Sequence, residues 1–122
     1  MKTTYQILII GGGTAGLMTA SSLLEKNPKL DIGIIEPSDK HWYQPAWTLV
    51  GAGTYNYNKT QRPMKSVMPK NADWIKDKAV SFDPDTNTVA TAKNGVISYE
   101  YLIVAPGLKL DPSKVEGLTD AI

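Results

Sequence analysis

Gly11-Gly12-Gly13-Thr14-Ala15-Gly16 fits the pattern G-x-G-x-x-G and dictates how the N-terminal third of this chain can fold. It follows Tyr5-Gln-Ile-Leu-Ile-Ile10, a short β-branched run of the kind that forms a parallel strand buried on both faces. Beyond the glycines, Leu17, Met18, Ala20, Leu23 and Leu24 recur near helical spacing. They predict a helix from about Thr14 to Lys26, stopped by Asn27-Pro28. Leu30-Asp-Ile-Gly-Ile-Ile-Glu36 reads as a second apolar strand, broken by Pro37-Ser-Asp. Strand, helix and strand within roughly 30 residues make a βαβ unit, whose crossover is right-handed in nearly all proteins.

Each glycine then has a mechanical task. Gly11 lets the strand turn tightly into the helix, Gly13 lets a pyrophosphate approach the backbone, and Gly16 lets the helix pack closely on the strand. The free N–H groups at Thr14 and Ala15, at the positive end of the helix dipole, would hold the phosphate oxygens. Glu36 lies about 20 residues past Gly16 at the end of the second strand, where a carboxylate accepts hydrogen bonds from ribose hydroxyls. Glycine clusters alone are common loop punctuation, and a tight turn beside a solvated Glu is the competing reading. The strand before, the helix after and the acid at the far end favour a dinucleotide site. A carboxylate repels a 2′-phosphate, which disfavours NADP, but it does not separate NAD from FAD.

The middle of the chain is less regular. His41 to Gly53 reads as an aromatic-rich loop with a helical turn around Trp47–Val50, and Thr54–Gln61 as an exposed excursion. Arg62–Met68 reads as a short helix between Pro63 and Pro69. A β pattern follows over Asp73–Phe82, Thr88–Ala92 and Val96–Tyr99, with turns at Asp83–Asn87 and Asn94-Gly95, which predicts an antiparallel meander. Tyr101-Leu-Ile-Val-Ala105 returns to a buried strand and ends at Pro106-Gly107. The tail from Leu108 carries weak signals. The fold class expected is α/β, a Rossmann-like domain with a parallel sheet, a βαβ unit and an inserted meander. Its core is thin enough that the chain, residues 1–122, reads as the front piece of a longer protein.

Composition narrows the chemistry. Lys and Arg number 13 against 12 Asp and Glu, a net +1, which gives no electrostatic case for nucleic acid. Cysteine is absent, so thiol redox chemistry, thiolate metal sites and disulfides are excluded within these residues. No metal-ligand cluster is evident. No apolar run approaches the ~20 residues of a spanning helix, and residues 1–12 make a poor signal peptide. The expected location is cytosolic, with a peripheral membrane contact left open.

Two further segments carry a family resemblance. Tyr99-Glu-Tyr-Leu-Ile-Val-Ala-Pro-Gly107 resembles the second FAD signature of flavoproteins with two dinucleotide-binding domains, with Glu100 where Asp is usual. Glu36-Pro-Ser-Asp-Lys-His-Trp-Tyr-Gln-Pro-Ala-Trp-Thr-Leu-Val-Gly-Ala-Gly53 resembles the sulfide:quinone oxidoreductase family, especially its mitochondrial branch. Arg62-Pro63, Val67, Pro69 and Trp74-Ile75-Lys76 fit the same family, so the likeness spans about residues 5 to 118.

The resemblance implies FAD as cofactor, held by Gly11, Gly13, Thr14, Ala15 and Gly16 at the pyrophosphate. It places Glu36 at the adenosine ribose, makes Gln44 a polar contact to the cofactor, and sets the main chain near Ala79 against the adenine and Gly107 near the pyrophosphate. Pro45 would border the isoalloxazine. For His41, Trp42, Tyr43 and Trp47, ordinary packing is an equal alternative, since aromatics bury large areas with or without a flavin.

The family takes two electrons from sulfide through a cysteine pair, passes them to FAD and then to a membrane quinone. With no catalytic residue of its own, this chain would be an inactive N-terminal part of the FAD domain, open to self-association through its sheet edge. The missing C-terminal regions would make the membrane contact, at the inner face. The alternatives are the corresponding part of a type II NADH:quinone oxidoreductase or ferredoxin-reductase-like flavoprotein, and a non-catalytic nucleotide-binding module.

Overall fold

The computed structural model describes residues 2–121. Strand β1 (Thr4–Ile10) is buried on both faces, as its apolar sequence requires, and runs through the glycines into helix α1 (Thr14–Lys26). Strand β2 (Ile32–Ile35) returns parallel to β1, with Ile7 opposite Ile32 and Ile10 opposite Ile35, which completes the βαβ unit. Gly33 interrupts this branched run for a packing reason: a Cβ there would lie 2.9 Å from the Tyr5 ring. The Tyr5 hydroxyl donates to Asp73 Oδ2 at 3.2 Å. Burial, reinforced by the negative charge of Asp73, pushes the phenol up to about 12, so it stays a neutral donor.

The chain then forms β3 (Lys40–Trp42), a 3-10 turn at Gln44–Ala46, and α2 (Trp47–Gly51). After a second 3-10 turn at Tyr57–Thr60, β4 (Gln61–Pro63) pairs antiparallel with β3 and leads into α3 (Met64–Val67). The excursion expected at Thr54–Gln61 is therefore tied down at its end. Thr60 is buried, donates to the Tyr57 carbonyl at 2.7 Å and accepts from Trp47 Nε1 at 3.2 Å.

Two strand boundaries differ from expectation. Asp73–Phe82 is not one strand but two, β5 (Ala72–Ile75), parallel to β2, and β6 (Ala79–Asp83), in the meander. Conversely, Val96–Tyr99 and Tyr101–Val104 belong to one strand, β8 (Val96–Val104), which follows β7 (Thr88–Thr91) and ends one residue before Ala105. The first part of β8 pairs antiparallel with β7 and the remainder parallel with β1, so one element serves both layers. The tail holds a 3-10 turn at Pro112–Lys114 and a short α4 (Leu118–Ala121).

The six-stranded sheet has the order β5-β2-β1-β8-β7-β6. It cannot be flat. Strands β5 and β6 stand at opposite ends of that order, five spacings or about 24 Å apart if flat. Yet Ile75 and Ala79 are separated by a segment that reaches at most about 14 Å. The meander therefore folds back over the parallel strands. Its Val89, Ile97 and Tyr99 pack with Tyr5, Leu8, Ile10, Ile35 and Ile75 on one face. On the other face α1 lays Leu17, Ala20 and Leu24 against Ile7, Ile9, Ile32 and Ile34.

Asp77 is what splits the expected strand. Its carboxylate is buried and accepts the N–H groups of Lys78 at 2.7 Å, Lys93 at 3.0 Å and Asn94 at 2.9 Å, together with Asn94 Nδ2 at 2.8 Å. It thereby staples the β5–β6 turn to the β7–β8 turn. Burial opposes ionisation, but these donors outweigh it and bring the carboxyl down to about 2.

Because the folded pKa lies below the ordinary aspartate value of 3.8, the staple stabilises at neutral pH and weakens as pH falls from about 4 towards 2. Asp77→Asn, which leaves an amide N–H facing N–H donors, is expected to lower the melting temperature by several degrees at pH 7. Thermal melts between pH 7 and pH 2 should show the gap to wild type closing below about pH 4. A gap independent of pH would mean that the carboxylate charge is not what holds the two turns.

Candidate functional site

The parallel strands present their carboxyl ends at one edge of the sheet. The Gly11 N–H donates to the Ile35 carbonyl at 2.9 Å, Glu36 N–H to Ile75 at 3.0 Å and Ala105 N–H to Ile10 at 2.8 Å. Here β1 has β2 on one side and β8 on the other. A crevice at the carboxyl ends of the strands is where open α/β sheets bind ligands. A cleft of about 690 Å³ opens there, lined by Gly12–Ala15, Glu36, Ser38, the segment from Lys40 to Pro45 without Tyr43, Met64, and Ala105–Leu108.

The glycines divide as their tasks require. Gly11 has φ +106°, the left-handed region that disfavours other residues, and a Cβ on it would sit 2.1 Å from the Ala105 carbonyl oxygen. A Cβ on Gly16 would lie 1.9 Å from the Gly11 carbonyl oxygen, so α1 rests directly on the end of β1. Gly13 differs: a Cβ there would meet nothing within 4 Å and would project into free space at the helix start. The first bond of α1 runs from Leu17 N–H to the Gly13 carbonyl at 3.0 Å. The N–H groups of Thr14 and Ala15, both exposed and lining the cleft, thus have no helical acceptor.

Glu36 is held at every polar atom of its main chain and side chain. Its carbonyl accepts from Trp74 Nε1 at 2.9 Å, Oε2 accepts from Gly12 N–H at 2.8 Å and Oε1 from Ser38 N–H at 2.7 Å. A carboxylate oxygen has two acceptor positions, so each keeps one for a ligand hydroxyl. Lys76 pairs with Asp39 and lies 5.9 Å above the Trp74 ring, bracing the same corner.

Of the residues singled out from the sequence, Gly13, Thr14, Ala15, Glu36, Gln44 and Gly107 line this one cleft. Gly11 and Gly16 are buried beneath it and shape it. Gly107 takes φ +75° at the end of the β8 loop. Ala79 is not brought to the cleft: it opens β6 and packs on the core between sheet and meander. The structure also separates the aromatics. Trp42 lines the cleft with Trp47 and Tyr57 packed behind it, at ring distances of 6.2 and 5.5 Å, while Tyr43 is exposed.

Two functional features were not evident in the sequence. Gly12, between the pattern glycines, has no room for a side chain, because a Cβ would lie 2.7 Å from Glu36 Cγ and 3.2 Å from Met64 Sδ. Met64 itself is buried at the cleft floor. A glycine where the pattern allows any residue is the only sequence signal for this contact.

The arrangement suits the AMP end of a dinucleotide: a glycine surface with open space, unpaired helix-start N–H groups, and an anchored carboxylate across a crevice. Residues 5–122 match the pyridine nucleotide-disulphide oxidoreductase family, and the chain belongs to it. Members of this family related to the chain are FAD-dependent oxidoreductases.

Within that family, the mitochondrial sulfide:quinone oxidoreductase of Dictyostelium discoideum is 44% identical over 121 residues, 98% of this chain and 27% of the relative. The X-ray structure of the sulfide:quinone oxidoreductase of Aquifex aeolicus is 32% identical, with TM-score 0.73 over 88% of this chain and 25% of that one. A type II NADH:quinone oxidoreductase of Staphylococcus aureus is 29% identical over 119 residues, 94% of this chain and 29% of the relative. The chain thus spans about a quarter of the length of the curated relatives it matches. Among the described residues, no helix is long and apolar enough to cross a membrane and no group of side chains could hold a metal ion.

Proposed function

We propose that residues 1–122 form the N-terminal part of the FAD domain of a sulfide:quinone oxidoreductase. The observation that carries this reading is the convergence of Glu36, the start of α1 and Gly107 on one cleft, in a chain that is 44% identical to such an enzyme. In it the N–H groups of Thr14 and Ala15 hold the pyrophosphate, Gly13 leaves room for it, and Glu36 takes the ribose hydroxyls. Gln44 and Pro45, at the opposite wall, border the rest of the cofactor. When bound, FAD supplies the two-electron chemistry. These residues bind and orient it and do not themselves donate electrons.

Because Cys is absent, the thiols that would take up sulfide lie outside these residues. Quinone, sulfide and any peripheral membrane contact at the inner face likewise belong to regions beyond them. The 29% identity to a type II NADH:quinone oxidoreductase supports a second reading, in which NADH replaces sulfide as donor.

One assay separates the two. The full-length gene product, purified with its flavin, is offered a soluble quinone with either sulfide or NADH. Sulfide-dependent quinone reduction is expected. NADH-dependent reduction without a sulfide response would overturn the proposal in favour of the second reading.

A further inference from the structure

The Gly12–Gly13 peptide lies between two residues without Cβ atoms, so little steric cost opposes its rotation by half a turn. Such a flip would exchange the directions of the Gly12 carbonyl and the Gly13 N–H, which point opposite ways across a trans peptide. At the mouth of an anion site that exchange matters, because it would turn a carbonyl oxygen to where an N–H had been.

The structure holds this peptide from outside the loop. Its carbonyl, that of Gly12, is 3.1 Å from His41 Nδ1, while the preceding peptide is held separately, through the Gly12 N–H at 2.8 Å from Glu36 Oε2. A carbonyl only accepts, so Nδ1 must carry a proton. His41 sits in β3, whose register against β4 places it opposite Arg62 and whose preceding residue, Lys40, also lines the cleft. The two-stranded sheet, remote from the glycines in sequence, is thus bonded to the loop it faces.

We infer that His41 is a positioning residue for the dinucleotide: its Nδ1–H pins the Gly12 carbonyl and thereby fixes the Gly13 N–H and the cradle that follows it. This rests on the proposed FAD site and adds a determinant to it. His41 works through the glycine loop and needs no contact with the reacting atoms.

The test uses the full-length apoprotein and the quenching of flavin fluorescence to titrate FAD. Asparagine places an amide N–H near the position of Nδ1, whereas glutamine reaches the position of Nε2. His41→Ala and His41→Gln are expected to bind FAD about 10-fold more weakly, the loss of one hydrogen bond. His41→Asn should stay within about 2-fold of wild type. Equal affinity for all three variants and wild type would overturn the inference. So would equal weakening in all three, which would make His41 a packing residue only.

A measurement on the unmutated protein keeps the test independent of how the variants fold. Long-range proton–nitrogen NMR of His41 is expected to show the Nδ1-protonated form, and a neutral ring protonated at Nε2 alone would contradict the geometry. If wild-type apoprotein takes up no FAD at all, it is the functional reading that fails, and the NMR result still judges the contact.

Discussion

Gly16→Ala is expected to cost about 3 kcal/mol or more, at the upper end of what overpacking does, and to abolish cofactor retention. Placing a Cβ 1.9 Å from the Gly11 carbonyl oxygen cannot be relieved by turning a flexible side chain, since the obstacle is backbone. Either α1 lifts from the end of β1 or the Gly11 turn unwinds. The first separates Leu17, Ala20 and Leu24 from the buried isoleucines of β1 and β2. The second loses the turn that Gly11 makes at φ +106° between β1 and α1. Urea unfolding of the full-length protein followed by circular dichroism would read the loss of stability, and the flavin content of the purified variant the loss of cofactor. An unchanged midpoint would mean that helix and strand do not lie this close.

Gly13→Ala should behave in the opposite way. Its φ of −76° and ψ of −172° suit any residue, and the added methyl meets no protein atom within 4 Å. Stability should therefore stay within about 0.5 kcal/mol of wild type, as for substitutions away from packed features. FAD affinity should nevertheless fall about 100-fold. The methyl would occupy the surface against which a pyrophosphate lies, and the charge-assisted bonds it displaces are worth about 1.5–3 kcal/mol each. The pair of variants separates a glycine needed by the fold from a glycine needed by the ligand. If Gly13→Ala bound FAD as tightly as wild type, the phosphate would not lie on this loop.

Much of this site could be read from residue order because its parts are local. A buried strand, glycines without side chains and an apolar helix stripe fix the βαβ unit within a few turns of chain, and α1 spans Thr14–Lys26 as its spacing implied. Glu36 was legible because a strand returning parallel must end beside the one it left. What escaped reading depends on distant partners. Asp77 looks like one more charge in a strand until Lys93 and Asn94 arrive to receive it. The joined β8 could not be seen because its two halves have different neighbours, β7 and β1. The pairing of β3 with β4 closes a loop of irregular sequence, and with it the contact from His41 to Gly12. Ala79 was placed by family likeness alone, and the structure sets it in the meander rather than at the cleft.

The central claim is that the start of α1 and the carboxylate of Glu36 together grip the AMP half of FAD. A crystal structure of the full-length protein with its flavin tests this most directly. The account predicts pyrophosphate oxygens within hydrogen-bonding distance of the Thr14 and Ala15 N–H groups and ribose hydroxyls on Glu36, with the bond from Gly12 N–H retained. A flavin whose adenosine lies elsewhere, with Glu36 facing solvent, would contradict it.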